Sequence, residues 1–263
     1  MIALVTGAGS GIGKRLAELL LERGDDVIAL DLKFDDEVRA ALSAKKARVH
    51  FETVDVRDGD AVRAAVDSGV AALGGLRLAI NCAGVAIAKP FLETSEDEYR
   101  RVVDINLYGS RNLAAAALPH LKGGGQLVLT ASMAGFVGNY GYSAYCASKF
   151  AVVGLAEVLR IEQKPEGVTV SVVAPPEIIT PLVVEERRSG SAITGQMKQF
   201  AGSLELEPAV QAILSGIDSG RFLIVPGSKA KQTLAMQRFT PRRVTHSVAD
   251  FLLRRALRGQ SST

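Results

Sequence analysis

Short apolar runs separated by helix-length segments recur along the chain from residue 2 to about residue 225. Seven runs read as strands: Ile2 to Thr6, Val27 to Asp31, Arg48 to Val54, Leu76 to Asn81, Gln126 to Ala131, Val168 to Ala174 and Phe222 to Val225. Strands alternating with helical segments imply βαβ units, hence an α/β fold with a parallel sheet. Ile12 to Arg23 repeats apolar residues at helical spacing, and Ser95 to Leu121 opens on Ser95-x-x-Glu98, a capping-box signature, so both are predicted as helices. From Thr180 to Gly202 the apolar residues Leu182, Val183, Val184, Ile193, Met197 and Phe200 stand among charges and glycines with weak periodicity, which predicts a lid over about residues 180–202. Beyond Lys229 the pattern predicts a helical tail with Val244, Val248, Phe251 and Leu252 on one side, interrupted by Arg255. No repeat or interdomain linker breaks the 263 residues, so one domain spanning 1–263 is expected.

Composition narrows the class. With 48% hydrophobic and 22% charged residues the chain is that of a compact protein and not a disordered one. The longest apolar stretches, Val152 to Leu159 and Val168 to Pro176, fall short of the roughly 20 residues a membrane span needs. The N-terminus reads as a strand without a basic leader, so a cytoplasmic location is expected. Cys82 and Cys146 are too few for a disulfide framework and lack metal-ligand spacing; they are expected as small packed residues, with no metal site.

Charge is unevenly spread. From Lys229 onward there are eight bases and one acid, against 23 bases and 27 acids before it. A solvated basic face or a helix packed on the core or a neighbouring subunit is the favoured reading of this tail; peripheral contact with an anionic membrane is the less favoured one. Nucleic acid is not expected as a partner, because interleaved aromatics and recognition motifs are absent.

Candidate chemistry begins where the first strand runs into Thr6-Gly7-Ala8-Gly9-Ser10-Gly11-Ile12-Gly13 and then a helix. A turn without β-carbons lets backbone N–H groups approach a pyrophosphate, and the positive end of the helix favours that anion. The spacing is GxxxGxG, not GxGxxG. Asp31 ends the second strand about 20 residues past the loop, where the adenosine ribose of a dinucleotide would lie. Its carboxylate can accept hydrogen bonds from both ribose hydroxyls and would repel a 2′-phosphate. Neither Ser10 nor Leu32 supplies a compensating cation, so NAD is expected over NADP, with Lys33 the residue that could soften the preference.

Tyr145 and Lys149 stand at i and i+4 of a helix continuing through Arg160, hence on one face. A phenol of ordinary pKa near 10 needs a neighbouring cation to act as an acid/base at neutral pH. At about 4 Å and an effective dielectric of about 20, Lys149 would contribute roughly 4 kcal/mol before screening. Ser132, 13 residues before Tyr145, ends a strand at the carboxyl edge of the sheet, where ligands of open α/β sheets bind.

Taken together, these residues resemble the short, single-domain branch of the short-chain dehydrogenase/reductase family from Ile2 to about Thr180. The match includes the loop residues Gly7, Ser10, Gly11, Ile12 and Gly13, then Asp31, Asp55-Val56, Asn81-Cys82-Ala83-Gly84, Asn106, Ser132, Tyr145 and Lys149. The resemblance implies a doubly wound, Rossmann-like sheet of seven parallel strands with helices on both faces. It implies an NAD-dependent oxidoreductase interconverting a secondary alcohol and a ketone. Tyr145 would be the general acid/base, Ser132 would orient the substrate oxygen, and Lys149 would lower the Tyr pKa and bind the nicotinamide ribose. Asn106, at a distorted point of its helix, would hold a water linking Lys149 to solvent; a satisfied structural amide is the alternative. The loop, Asp31, Asp55 with Val56 at the adenine, Asn81, Ala83 and Gly84 would line the cofactor, and Ile178 and Thr180 would meet its carboxamide. A homo-dimer or homo-tetramer is implied, paired through the helix from Tyr145 to Arg160, which would present Val152, Val153, Ala156 and Leu159.

The chain departs from that pattern at Pro175-Pro176, where the family usually has Pro-Gly, so the nicotinamide end is expected to be shaped differently. Cys82 and Tyr140 are further departures. Met133, Phe136, Val137, Tyr140 and Tyr142, with Ile179, Leu182, Val183, Met197 and Phe200 of the lid, predict an apolar pocket for a lipid-like substrate. The other reading kept open is a non-catalytic protein that senses NAD redox state.

Overall fold

The structure, a computed structural model, describes residues 1–180, 183, 184, 194 and 202–260, apart from the side chains at 242, 252 and 258–260. Its centre is a seven-stranded sheet built from β1 (Ile2–Thr6), β2 (Asp26–Asp31), β3 (Val49–Thr53), β4 (Leu78–Asn81), β5 (Gln126–Thr130), β6 (Thr169–Val173) and β9 (Leu223–Ile224). The order is β3-β2-β1-β4-β5-β6-β9 and every pairing is parallel. Two-residue strands β7 (Glu177–Ile178) and β8 (Ser203–Leu204) pair separately. All seven predicted strands are present. β1 matches its run and β2 starts one residue earlier, while the other five ladders stop a residue or two short, since Val54, Leu76, Val168 and Ala174 are buried without belonging to a strand.

Successive residues of a strand face opposite sides, and the two cores divide β1 accordingly. Ala3 and Val5 join α1 (Gly11–Arg23) and α7 (Leu206–Asp218) through Leu16, Leu20, Ile213 and Ile217. Leu4 faces the other layer, made by α3 (Gly59–Leu73), α5 (Gly109–Leu121) and α6 (Ser143–Glu162), with Val66, Leu113, Val152 and Ala156. The strand order reverses between β1 and β4, which pair in register so that Thr6 lies beside Asn81. Their carboxyl ends frame the crevice where such sheets bind ligands.

The predicted helix over 95–121 is three pieces. α4 (Glu96–Val103) starts at the predicted capping box, with Glu98 N donating to Ser95 Oγ (3.2 Å) and Ser95 N donating to Glu98 Oε2 (3.0 Å). Asp104–Tyr108 is a π-turn, and α5 follows. The tail is two helices, α8 (Ser228–Phe239) and α9 (Arg242–Gln260). Its apolar residues do not form the single stripe the sequence suggests. Thr245, Ala256 and half-buried Val248 face inward, whereas Val244 and Phe251 are 47% and 64% exposed; the Leu252 side chain lies outside the described residues. Arg255, which interrupts the stripe in the sequence, belongs to the outer face. The dimerisation stripe on α6 needs a similar correction, since Val152 and Ala156 are fully buried against the sheet while Phe150, Val158 and Ile161 face outward.

Candidate functional site

The loop after β1 turns through glycines that no other residue could replace without displacement. Gly7 and Gly11 have φ of +69° and +51°, the left-handed region that side chains disfavour. A Cβ on Gly13 would stand 2.2 Å from the Gly7 carbonyl oxygen, and one on Gly9 2.9 Å from the Asp31 carboxylate. Ser10 is the N-cap of α1 in an extended conformation, and its hydroxyl makes no capping bond. The amides of Gly11, Ile12 and Gly13 therefore open α1, at the positive end of its dipole. This donor set fits a pyrophosphate.

Asp31 stands beside this loop at the end of β2. Its Oδ2 accepts Gly9 N–H at 2.8 Å and its Oδ1 accepts Lys33 N–H at 3.3 Å. The Lys33 ammonium turns instead to Asp35 (3.4 Å), and Arg39 stacks on Phe34 and Phe51 at 5.2 and 4.9 Å. Among the described residues no cation pairs with Asp31, so the residue that could have softened the NAD preference is engaged elsewhere. Asp55 is clamped by Arg57 Nε and Nη2 at 2.9 and 2.5 Å, which holds its carboxyl below the usual range. Beside it Val56 is buried and its carbonyl accepts Asn112 Nδ2 at 2.9 Å.

Between the loop and the candidate catalytic residues runs a buried polar chain. Thr6 Oγ1 donates to Asn81 Oδ1 (2.6 Å) and accepts the amides of Cys82 and Ala83 (3.1 and 3.2 Å). Asn81 Nδ2 donates to Ser110 Oγ (2.8 Å), which donates to the Asn106 carbonyl (2.5 Å). Asn81 is fully buried with both ends of its amide engaged, so its side chain braces the turn that follows β4. The sequence analysis missed Thr6 and Ser110. A threonine ending the strand before the glycine loop was the signal for the first; nothing local marks the second.

Asn106 lies in the π-turn, as the resemblance implies, and is fully buried. Its Nδ2 donates to the Val85 carbonyl and to Ser148 Oγ, both at 3.0 Å, and its Oδ1 accepts Val85 N–H at 2.9 Å. Both N–H groups of its side-chain amide are therefore engaged within the protein. Gly84 sits against it, where a Cβ would be 3.1 Å from Asn106 Oδ1 and 3.6 Å from Lys149 Nζ.

Ser132 follows β5, and Tyr145 and Lys149 lie on the first turns of α6. Lys149 Nζ donates to the Thr130 carbonyl at 2.8 Å and lies 5.6 Å from the Tyr145 ring centroid. Burial pushes the Lys149 ammonium down to about 8 and the neighbouring Cys82 thiol up to about 12, so Cys82 is an inert packed thiol. Ser132 Oγ accepts Ala134 N–H at 3.2 Å and is aligned toward the Pro175 carbonyl at 3.5 Å. That carbonyl also accepts Met133 N–H at 2.9 Å, so the Pro175-Pro176 segment is tied to the turn carrying Ser132. Ile178 is held by β7–β8 pairing, and Thr180 packs over Gly11.

These residues border one cleft of about 240 Å³. Ile12, Gly84, Ile178 and Thr180 line one part of it, Ser132, Tyr145 and Lys149 another, and Val85, Met133, Val137, Tyr142 and Val183 an apolar part. Phe136 packs under α8 instead, and Leu182, Met197 and Phe200 lie outside the described residues. Sequence reasoning missed that the tail completes the cleft, through Met236 of α8 and Thr245, Val248 and Ala249 of α9. Arginines dominate that stretch of sequence and obscure its inward face.

A family model for short chain dehydrogenases matches residues 1–190. A 3-dehydrosphinganine reductase of Arabidopsis thaliana is 34% identical over 84% of this chain and 68% of its own. A cyclohexanol dehydrogenase of Acinetobacter is 37% identical over 70% of this chain and 75% of its own. Among solved structures, a short chain dehydrogenase/reductase of Burkholderia phymatum in complex with NAD superposes with a TM-score of 0.81 at 27% identity, covering 94% of each chain. One of Mycobacterium paratuberculosis bound to NAD gives 0.77 at 27% identity, over 85% of this chain and 94% of that one. With the glycine loop, the π-turn asparagine and the Ser132, Tyr145 and Lys149 cleft already in place, these likenesses make the chain a member of the short chain dehydrogenase family.

Proposed function

We propose that this oxidoreductase interconverts an apolar secondary alcohol and its ketone with NAD, within one domain spanning the chain. The observation that carries this reading is the convergence of Ser132, Tyr145 and Lys149 on a cleft that also reaches the first turn of α1. Ile12, Gly84, Ile178 and Thr180 would lie against the nicotinamide end of NAD, which when bound would supply the hydride acceptor, or as NADH the donor. The amides opening α1 would hold its pyrophosphate and Asp31 its adenosine ribose. In the direction of reduction the Tyr145 hydroxyl gives its proton to the substrate oxygen, and in oxidation the phenolate takes the hydroxyl proton. Lys149, charged below about pH 8, stabilises the phenolate. Ser132 Oγ holds the reacting oxygen by a hydrogen bond. Asn106 fixes Val85 and Ser148, and through them the wall beside Lys149. An apolar part lined by Val85, Met133, Val137, Met236 and Val248 suits a hydrocarbon substituent better than a sugar or a carboxylate.

The test is Tyr145→Phe. Removing one hydroxyl should lower turnover on an apolar secondary alcohol by about 10²–10⁴, while NADH affinity, followed by its fluorescence, stays within a few fold. Near-normal turnover by the Phe variant would refute the assignment of Tyr145. NADH binding without turnover on any alcohol, in the unaltered protein as well, would favour a redox-sensing role.

A further inference from the structure

The tail carries a surface that the chemistry above does not use. The inner side of α9 walls the cleft with Thr245, Val248 and Ala249, and Ala256 is 2% exposed beneath it. The outer side exposes Arg243, Arg254 and Arg255 together with Val244, Phe251 and Leu257. At 100° per residue, Arg243, Arg254, Phe251, Val244 and Arg255 fall in that order across about 120° of one face. Asp250 is the one acid of the tail, and among the described residues none of these arginines enters an ion pair. Phe239, at the end of α8, adds a ring that is 81% exposed.

We propose that this outer face of α9 docks on an anionic lipid bilayer, its rings and aliphatic side chains entering the headgroup boundary while the arginines meet lipid phosphates. Charge complementarity selects an anionic partner. The apolar residues set between the cations select a lipid surface over a soluble polyanion, which would gain nothing by desolvating them. Among the described residues no helix is long and apolar enough to cross a membrane, so the contact is interfacial. Because the opposite side of the same helix walls the cleft, a docked bilayer lies against the substrate end of the molecule. The proposal stands on α9 alone and does not depend on the assignment of Tyr145.

Flotation of the full chain with vesicles of equal parts phosphatidylglycerol and phosphatidylcholine tests it against vesicles of phosphatidylcholine alone. Binding should be at least about tenfold stronger to the anionic vesicles and should collapse as salt rises from about 0.1 M to about 1 M, which shortens the screening length from about 10 Å to about 3 Å. Each surface cation contributes roughly fivefold, so Arg243→Glu, Arg254→Glu and Arg255→Glu combined should lower partitioning by about a hundredfold or more. Phe251→Ser should lower it by about tenfold with NADH binding unchanged. The inference fails if the unaltered protein does not float at low salt, if both vesicle types bind it equally, or if Phe251→Ser binds as the parent does, which would mark a patch for any polyanion. A loss of oligomeric state in Phe251→Ser would also overturn it, assigning the face to a second copy of the chain. If the charge-reversed protein does not fold, the salt titration and Phe251→Ser decide alone.

Discussion

Lys149 is a buried cation with no carboxylate partner among the described residues, its ammonium donating to the Thr130 carbonyl. Burial lowers its folded-state pKa to about 8, against about 10.4 in an unfolded chain. Below pH 8 both states are charged and folding bears the whole desolvation cost, about 3 kcal/mol. Between 8 and 10.4 the unfolded state binds more protons, so this group makes stability rise with pH there. Lys149→Met should remove that cost while leaving the Thr130 carbonyl short of a donor, which gives back about 1–3 kcal/mol. For cofactor-free protein near pH 7 the expected outcome is a melting temperature unchanged or raised by up to about 4 °C, the gain vanishing by pH 10.5, while NADH binding falls. A variant that melts lower by several degrees at pH 7 and recovers at high pH would have the sign reversed.

Asp31 offers a second test at the same scale. Its carboxylate is held by two backbone amides and, among the described residues, pairs with no cation, because Lys33 turns to Asp35. At about 5 Å two unit charges repel by roughly 1–3 kcal/mol for effective dielectrics of about 80 to 20. NAD(H) should therefore bind at least about tenfold more tightly than NADP(H), and Asp31→Ala should bring the two close together in a fluorescence titration. Equal binding by the unaltered protein would show that another group neutralises the 2′-phosphate.

At the scale of elements, α6 shows what a sequence pattern can and cannot settle. Its cleft-facing side was legible because Tyr145 and Lys149 one turn apart must share a side of the helix. Its outer face was not, since Val152 and Ala156 look as suited to a subunit interface as to the core until the sheet is placed against them. The outward stripe is Phe150, Gly154, Val158 and Ile161, with Phe150 and Ile161 46% and 65% exposed. Two copies could approach closely over Gly154. The chain is therefore expected to be a homo-dimer or homo-tetramer, and Phe150→Asp with Ile161→Arg should give a monomer by light scattering at micromolar concentration. No change of mass on that double substitution would place the interface elsewhere. The strands and the glycine loop were legible for a different reason: hydrophobic runs and missing β-carbons are local. The π-turn at Asn106 needs one extra residue in its turn, and the bonds from Asn106 to the Val85 carbonyl and from Asn81 to Ser110 span 21 and 29 residues, so neither leaves a trace in periodicity.

On the scale of the whole molecule, the sheet divides the work between its two ends. The half around β1, β2 and β3 supplies the glycine loop, whose helix reaches the cleft at Ile12, together with Asp31 and Asp55. The tail instead packs on the opposite end, where Ala230 and Leu234 of α8 meet Met133, Phe136, Ala174 and Val225. Met133 directly follows Ser132, so α8 buttresses the turn that aims the serine hydroxyl. Removing residues after Gly227 exposes that cluster and opens the cleft at Met236, Thr245 and Val248. Losing several apolar side chains from burial, at about 1.5–3 kcal/mol each when fully buried, should lower the melting temperature by at least about 5 °C. NADH affinity should hold within about threefold, because the loop and Asp31 keep their partners. Turnover on an apolar alcohol should fall by at least about tenfold, with KM rising as the hydrocarbon wall is lost. A truncated protein with intact melting temperature and kinetics would mean that α8 and α9 merely rest on the surface, and equal losses of NADH and substrate affinity would mean that the two halves of the site are not independent.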